Sequence, residues 1–124
     1  MFSWVEVSES ALRYNLKQFK KKIGRNTLLM PVIKSNAYGH GFELVAKICD
    51  SDKNVSHLCV VNSEEALSLI NLEIRKPIII LSFYSNDKKE IEKMIDRGVI
   101  FPIYELGQFD FLNKIAKTIN KKAK

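Results

Sequence analysis

The stretch of sequence that decides the fold reads Pro31-Val32-Ile33-Lys34-Ser35-Asn36-Ala37-Tyr38-Gly39-His40-Gly41. An apolar run over residues 28–33 comes first and predicts a buried strand. Lys34 stands at the end of that run, and a glycine-containing turn and a predicted helix from about Phe42 follow it. This order places a primary amine at the carboxyl end of a strand, which is where α/β proteins bind their ligands.

The residue types of this turn suit a ligand that carries an aldehyde and a phosphate. Lysine is the side chain that forms a Schiff base with an aldehyde. Gly39 and Gly41 allow the backbone to approach a ligand without an intervening Cβ. We expect exposed N–H groups in the turn and at the start of the next helix to favour an anion. A lone lysine at a strand end is most often only a solvated residue, so the assignment depends on the motif around it.

Residues 34–41 closely resemble the pyridoxal-phosphate lysine motif of alanine racemases, which reads Lys-Ala-Asn-Ala-Tyr-Gly-His-Gly. Only Ser35 departs from that motif, where the family has alanine. The resemblance implies that Lys34 is the catalytic lysine, bonded to pyridoxal 5'-phosphate as a Schiff base, and that Tyr38 contacts the cofactor phosphate. His40 is expected to help shape the turn.

The rest of the chain alternates predicted strands and helices. The predicted strands cover residues 28–34, 58–61, 78–81 and 99–104. Ser8 and Asn86 are the predicted N-caps of two helices, and Asn62 with Glu65 resembles a capping box for a third. A last helix is predicted over residues 105–122. Repeated βα units indicate a parallel α/β protein, and this pattern by itself fits a doubly wound sheet as well as an eight-stranded barrel.

The resemblance favours the barrel, because alanine racemases have a (β/α)8 TIM barrel followed by a separate β domain. The opening Trp4-Val5-Glu6-Val7 is also similar to the start of that family. A complete barrel takes about 250 residues. Residues 1–124 are therefore expected to form the N-terminal part of such a barrel, with about half of its strands, and to lack the C-terminal β domain. Such a half barrel is expected to have unpaired outer strands and to expose apolar side chains meant for a closed interior.

The composition excludes several other classes of protein. The chain has 124 residues, of which 46% are hydrophobic and 27% charged, as is typical of a globular domain. It has no apolar run of the roughly 20 residues that span a bilayer, and its first residues do not resemble a signal peptide, so we expect a cytoplasmic protein. The net charge of +6 comes from lysines on predicted helix faces without interleaved aromatics, which argues against nucleic-acid binding. Two cysteines and two histidines are too few for a disulfide framework or a metal site.

The resemblance implies a pyridoxal-phosphate-dependent racemase that interconverts L- and D-alanine for peptidoglycan synthesis, as a homodimer. In that family a tyrosine of the partner subunit serves the opposite face of the substrate. Tyr84 and Tyr104 do not match that position and are expected to be core or rim aromatics. The 124-residue piece alone is expected to be inactive. Two alternatives stay open: a racemase of serine or of broad specificity, and an inactive remnant that at most binds the cofactor.

Overall fold

Four segments of extended chain lie side by side and parallel, in the order in which they occur in the sequence. The computed structural model describes residues 3–124. Its two regular strands are β1 (Leu58–Asn62) and β2 (Ile78–Phe83), which pair in parallel. Residues 28–33 lie on the other side of β1, where Val32 bridges Cys59, and residues 99–101 lie beside β2, where Ile100 bridges Ile79.

The two outer segments are less regular than predicted. Residues 28–34 were expected to form a continuous strand, but they make only isolated bridges to the chain around β1. Pro31 explains part of this irregular pairing, because proline has no N–H to donate to the neighbouring strand. Only its carbonyl joins the pairing, as acceptor of the Cys59 N–H at 2.9 Å. The predicted strand over residues 99–104 likewise stops pairing before Pro102. On the outer edge of residues 99–101, one backbone group has a partner: the N–H of Phe101 donates to the carbonyl of Lys124.

Within residues 3–124 there are six helical elements: the first precedes these segments, the last follows them, and the other four lie between them. The second is one short turn that contains the lysine, and the other five are ordinary helices. Their bounds are α1 (Glu9–Ile23), α2 (Lys34–Tyr38), α3 (Phe42–Ser51), α4 (Ser63–Asn71), α5 (Lys88–Asp96) and α6 (Leu106–Thr118).

One of the predicted helix N-caps is confirmed and another is wrong. The Ser8 side chain accepts the N–H of Ala11 at 3.2 Å, which confirms it as the N-cap of α1. The prediction of Asn86 as the cap of α5 is wrong, because the neighbouring Asp87 accepts the N–H of Glu90 instead. Both residue types cap well, so sequence could not choose between adjacent candidates. Helix α6 ends at Thr118, four residues earlier than predicted.

The sheet has one covered face and one open face. The covered face is packed under α3, α4 and α5 and contributes Leu58, Val60, Ile78 and Ile80 to the core. The open face carries the alternate side chains, among them Val32, Leu81 and Phe83, which are 38%, 43% and 60% exposed. Strands in sequential order with the described helices on one face form part of a barrel, because a doubly wound sheet reverses its strand order. This confirms the predicted half barrel with an exposed interior face.

Candidate functional site

Lys34 lies at the carboxyl end of the first extended segment, where α2 begins. Ile33, its neighbour, is 1% exposed and belongs to the core on the covered face. Ile33 has a φ of −117° and a ψ of 16°, so the extended backbone ends there and Lys34 is the first residue of α2. The bridge between Val32 and Cys59 places the end of this segment beside the end of β1. Lys34 is half-buried, and within residues 3–124 no carboxylate forms an ion pair with its amine.

The chain directly after Lys34 forms a left-handed turn. Ser35, Asn36 and Ala37 have φ angles of 52°, 55° and 50°, and Tyr38 has a φ of 54°. None of these four residues is glycine. Left-handed backbone costs L-residues on the order of 1–2 kcal/mol each, so contacts elsewhere must hold the turn in place. Ala37 supplies one of them, because it is 5% exposed and packs into the core.

The N–H groups of this segment are used within the turn itself. Those of Gly39 and Gly41 donate to the carbonyl of Asn36, and that of His40 donates to Ala37. The N–H of Phe42, the first residue of α3, donates to the side-chain oxygen of Asn36 at 2.8 Å. The expectation that free N–H groups here would bind an anion is therefore wrong for residues 39–42. Sequence showed the glycines but not that the turn closes on its own donors.

Tyr38 and His40 lie at the end of the turn and have different surroundings. Tyr38 is 62% exposed, so its hydroxyl is open to a ligand. His40 Nδ1 lies 2.9 Å from the carbonyl oxygen of Ala37 and donates to it, which confirms the expected role of His40 in shaping the turn. Gly39, with a φ of 89°, follows Tyr38 and ends the left-handed segment. The turn thus carries both residues that the motif singles out, Lys34 at its start and Tyr38 at its end.

Glu65 joins the lysine turn to the neighbouring strand, and the sequence did not reveal this. Its Oε1 accepts the N–H of Ser35 at 2.7 Å, and its Oε2 accepts the N–H of Val61 at 2.8 Å. The predicted capping box is half right. Asn62 does accept the N–H of Glu65 at 2.9 Å, but the glutamate carboxylate turns away from Asn62. The only signal in the sequence was a glutamate in the first turn after β1.

The other candidate aromatics take structural positions. Tyr84 packs edge-on against Phe101, with ring centroids 5.2 Å apart, and its hydroxyl is buried. Burial, assisted by the carboxylate of Glu105, raises the pKa of Tyr84. The hydroxyl of Tyr104 donates to the carbonyl of Leu81 at 2.8 Å. These are the core and rim positions expected for the two tyrosines.

Two other classes of feature are absent from the part of the chain that the structure describes. No group of three or more His, Cys, Asp or Glu side chains in residues 3–124 could hold a metal ion. None of the helices in that range has the length and apolar character needed to cross a membrane. Cys49 and Cys59 are both buried free thiols.

The chain is similar to known proteins both in sequence and in structure. Residues 7–124 match the family model described as "Alanine racemase, N-terminal domain". The alanine racemase of Methanococcus maripaludis is 33% identical over 121 residues, which are 98% of this chain and 32% of that protein. The alanine racemase of Fusobacterium nucleatum is 35% identical over 120 residues, again 32% of its length. The solved alanine racemase of Clostridium difficile 630 superposes with a TM-score of 0.81 at 32% identity, over 92% of this chain and 29% of that one.

These matches have two consequences. The superposed structures confirm that the half barrel described above is the fold of this family's N-terminal domain. The chain spans about a third of the length of the curated relatives it matches.

Proposed function

The chain belongs to the alanine racemase family, whose N-terminal domain it matches, and we propose that it forms the cofactor-binding part of a pyridoxal-phosphate-dependent amino-acid racemase. The observation that carries the proposal is the position of Lys34. It directly follows the first barrel segment, at the start of a turn whose conformation is held by long-range contacts. The curated relatives are named alanine racemase, so we propose alanine as the substrate of the whole protein.

The residues present fit pyridoxal phosphate in their chemistry. Lys34 offers a primary amine that has no ion pair to break within residues 3–124. Tyr38 offers an exposed hydroxyl that can donate a hydrogen bond to a phosphate oxygen. Because the N–H groups of residues 39–42 are already used, we assign the phosphate contact in this chain to the Tyr38 hydroxyl rather than to a backbone nest.

The proposed chemistry of the chain centres on the Lys34 amine. When bound, pyridoxal phosphate supplies an electron sink that makes the Cα–H bond of an amino acid easier to break. Lys34 would hold the cofactor through its Nζ. The same Nζ would hold or return the Cα proton on the side of the substrate that faces the lysine.

The other half of the reaction needs groups outside these 124 residues. Inversion at Cα requires a second proton donor on the opposite side of the substrate, and neither Tyr84 nor Tyr104 has the position for it, since one is buried and the other is bonded to Leu81. We propose that the whole protein is a cytoplasmic homodimer that supplies D-alanine for peptidoglycan, and that residues 1–124 alone do not racemise.

Borohydride trapping tests the proposal directly. The purified chain is incubated with pyridoxal phosphate and reduced, and the modified lysine is identified by peptide mass spectrometry. We expect label at Lys34 at cofactor concentrations that leave the other lysines unlabelled. Lys34→Arg keeps the positive charge but cannot be trapped, so its label should disappear. Lys17→Ala removes an exposed lysine of α1 and should change nothing.

Label distributed over the surface lysines, with no preference for Lys34, would contradict the proposal. A Tyr38→Phe variant extends the test, because it removes only the hydroxyl. We expect it to require a higher concentration of pyridoxal phosphate for the same Lys34 label, and to behave like the unmodified chain towards pyridoxal, which lacks the phosphate. If Tyr38→Phe reduces the Lys34 label equally with pyridoxal phosphate and with pyridoxal, Tyr38 acts on the conformation of the turn and not on the phosphate.

A further inference from the structure

The Glu65 carboxylate accepts two hydrogen bonds from the backbone. Each of its oxygens has one backbone donor: Oε1 has the N–H of Ser35 at 2.7 Å, and Oε2 has the N–H of Val61 at 2.8 Å. These donors are far apart in sequence, because Ser35 follows the catalytic lysine and Val61 lies near the end of β1. A carboxylate that accepts two N–H groups makes charge-assisted bonds, which are shorter and stronger than neutral ones.

The two N–H donors lie at the carboxyl ends of two adjacent parallel segments of the half barrel. Val32 is paired with Cys59, so residues 34 and 61 stand two positions further along the two adjacent parallel segments. Glu65 therefore bridges the exact region where the strand ladder stops and the left-handed turn begins. Past this point the backbone has no further pairing between the two segments to define its direction. The carboxylate takes over the function of the missing ladder bonds.

The glutamate is itself held in a defined place. It is the third residue of α4, its own N–H donates to Asn62 Oδ1 at 2.9 Å, and its side chain is half-buried. The adjacent Glu64 is exposed, and none of the hydrogen bonds or ion pairs in the described part of the chain involves its carboxylate. Two glutamates in the same helical turn thus have different surroundings, and only one of them contacts the lysine turn.

We propose that Glu65 is a positioning residue for Lys34. By holding the N–H of Ser35 against the end of β1, it keeps the left-handed turn in the conformation that directs the Lys34 amine over the open face. This inference rests on the proposed function, because it assumes that the amine has a cofactor to meet. It assigns to Glu65 no contact with cofactor or substrate.

The test compares Glu65→Gln with Glu64→Gln. Each variant removes one negative charge from the first turn of α4. Glu65→Gln also replaces one of the two acceptor oxygens with an NH2 group, so that one of the two backbone N–H groups loses its partner. Glu65→Asp retains the charge on a shorter side chain, and it provides a second variant if Glu65→Gln does not fold. Circular dichroism establishes which variants are folded.

Two readouts are then taken on the folded variants. The first, without cofactor, is the hydrogen exchange of the Ser35 and Val61 amides, which we expect to be slow in the unmodified chain and faster in both Glu65 variants. The second is the concentration of pyridoxal phosphate that gives half-maximal borohydride label at Lys34. We expect this concentration to rise about tenfold in Glu65→Gln, because the variant loses one charge-assisted hydrogen bond. In Glu64→Gln it should stay within about twofold of the value for the unmodified chain.

The outcomes separate this inference from the proposed function. If the unmodified chain shows no preference for Lys34, the proposed function fails and this inference fails with it. If Lys34 is labelled equally well in the unmodified chain and in the Glu65 variants, the proposed function stands and the positioning role is refuted. Rapid exchange of the Ser35 amide in the unmodified chain would also refute it. A purely structural role would lower the melting temperature of Glu65→Gln and leave the label of its folded fraction unchanged.

Discussion

The side-chain oxygen of Asn36 accepts the backbone N–H of Phe42 at an N···O distance of 2.8 Å. Gly41 directly precedes α3 and has no side chain that could cap the helix. Asn36 thus supplies, from six residues upstream, the acceptor that a helix N-cap normally provides. Since Asn36 itself lies in the left-handed turn, this bond joins the conformation of the lysine turn to the start of α3.

Substitution of Asn36 is expected to destabilise the fold in a graded way. Asn36→Ala removes the acceptor and places alanine at a φ of 55°, so we expect the free energy of unfolding to fall by about 2 kcal/mol, half from the cap and half from the backbone. Asn36→Gly removes only the acceptor, and Asn36→Asp keeps one. Urea unfolding should therefore rank the midpoints Asp, Gly, Ala from highest to lowest. An Ala variant as stable as the Asp variant would contradict the cap.

Gly41 is required for its backbone angle and not for lack of space. Its φ is 93°, and a Cβ at this position would meet nothing closer than the Cβ of Leu44 at 3.8 Å. Gly41→Ala is therefore expected to cost about 1–2 kcal/mol through strain. Gly107, inside α6, has no such angle and an open environment, so Gly107→Ala should stabilise the chain by about 0.4–1 kcal/mol. Thermal unfolding of the two variants checks the opposite signs, and shifts in the same direction would be inconsistent with this account.

Cys49 is expected to make the fold sensitive to alkali. Burial, with the Asp52 carboxylate nearby, raises the pKa of the Cys49 thiol from 9.0 to about 11. Between these values the unfolded chain loses a proton that the folded chain keeps, so the free energy of unfolding falls as the pH rises above 9. Urea unfolding of Cys49→Ala at a series of alkaline pH values should show a shallower fall than the unmodified chain. Burial also raises the pKa of Cys59, so a part of the slope should remain.

Parallel pH slopes in Cys49→Ala and the unmodified chain would show that the thiol does not titrate differently in the two states. A thiol reagent offers an independent check. Because the thiolate is the reactive form, the folded chain should react slowly at neutral pH and rapidly only after unfolding.

Asp50 ties the end of α3 to the chain before β2. Its carboxylate accepts the N–H groups of Arg75 and Lys76 at 2.9 and 3.0 Å, and Arg75 Nε at 3.1 Å. Partial burial opposes ionisation, but the hydrogen bonds from Lys76 and Arg75 outweigh it and hold the pKa of Asp50 below its ordinary 3.8. The stabilisation is thus complete above that value and is lost as the pH falls through the lowered pKa.

Asp50→Asn is therefore expected to lower the free energy of unfolding by about 1–2 kcal/mol at neutral pH, since the amide keeps only one acceptor oxygen. The difference from the unmodified chain should shrink in acid, where Asp50 is itself protonated. Asp110→Asn provides the control, because Asp110 is an exposed aspartate of α6. Urea unfolding at neutral and acidic pH makes the comparison. A difference that persists unchanged in acid would rule out the charge as its source.

The open face is expected to make the isolated chain self-associate. Leu81 and Phe83 of β2 are 43% and 60% exposed there, and contiguous apolar surface of this kind favours association. Phe83→Ser should weaken the association, as measured by the concentration dependence of sedimentation. Phe109 is 56% exposed but lies on α6, so Phe109→Ser should have the smaller effect. Equal effects of the two variants would indicate nonspecific hydrophobic association rather than association through the open face.

Much of this fold could be predicted from the sequence, because local patterns of apolar and polar residues determine where its strands and helices form. The apolar run of β2 and the alternation of strand and helix along the chain were predicted correctly. Lys34 was predicted at a strand end, since its position follows directly from the run before it. The errors fall where neighbouring residues compete on nearly equal terms, as with Asn86 and Asp87, whose side chains both cap helices well.

The sequence by itself identified the candidate site residues: an amine at the end of an apolar segment and a phenol four residues later. Only the tertiary structure decided how they are held. Residues 35–38 adopt left-handed backbone against the local preference of non-glycine residues, so no local pattern could predict it. Likewise, the sequence placed Glu65 in a capping box with Asn62 and did not indicate that its carboxylate contacts the lysine turn. Packing of α4 against the sheet exposes Glu64 and directs Glu65 to the N–H of Ser35, because the orientation of the helix on the core sets which side of it faces the lysine turn.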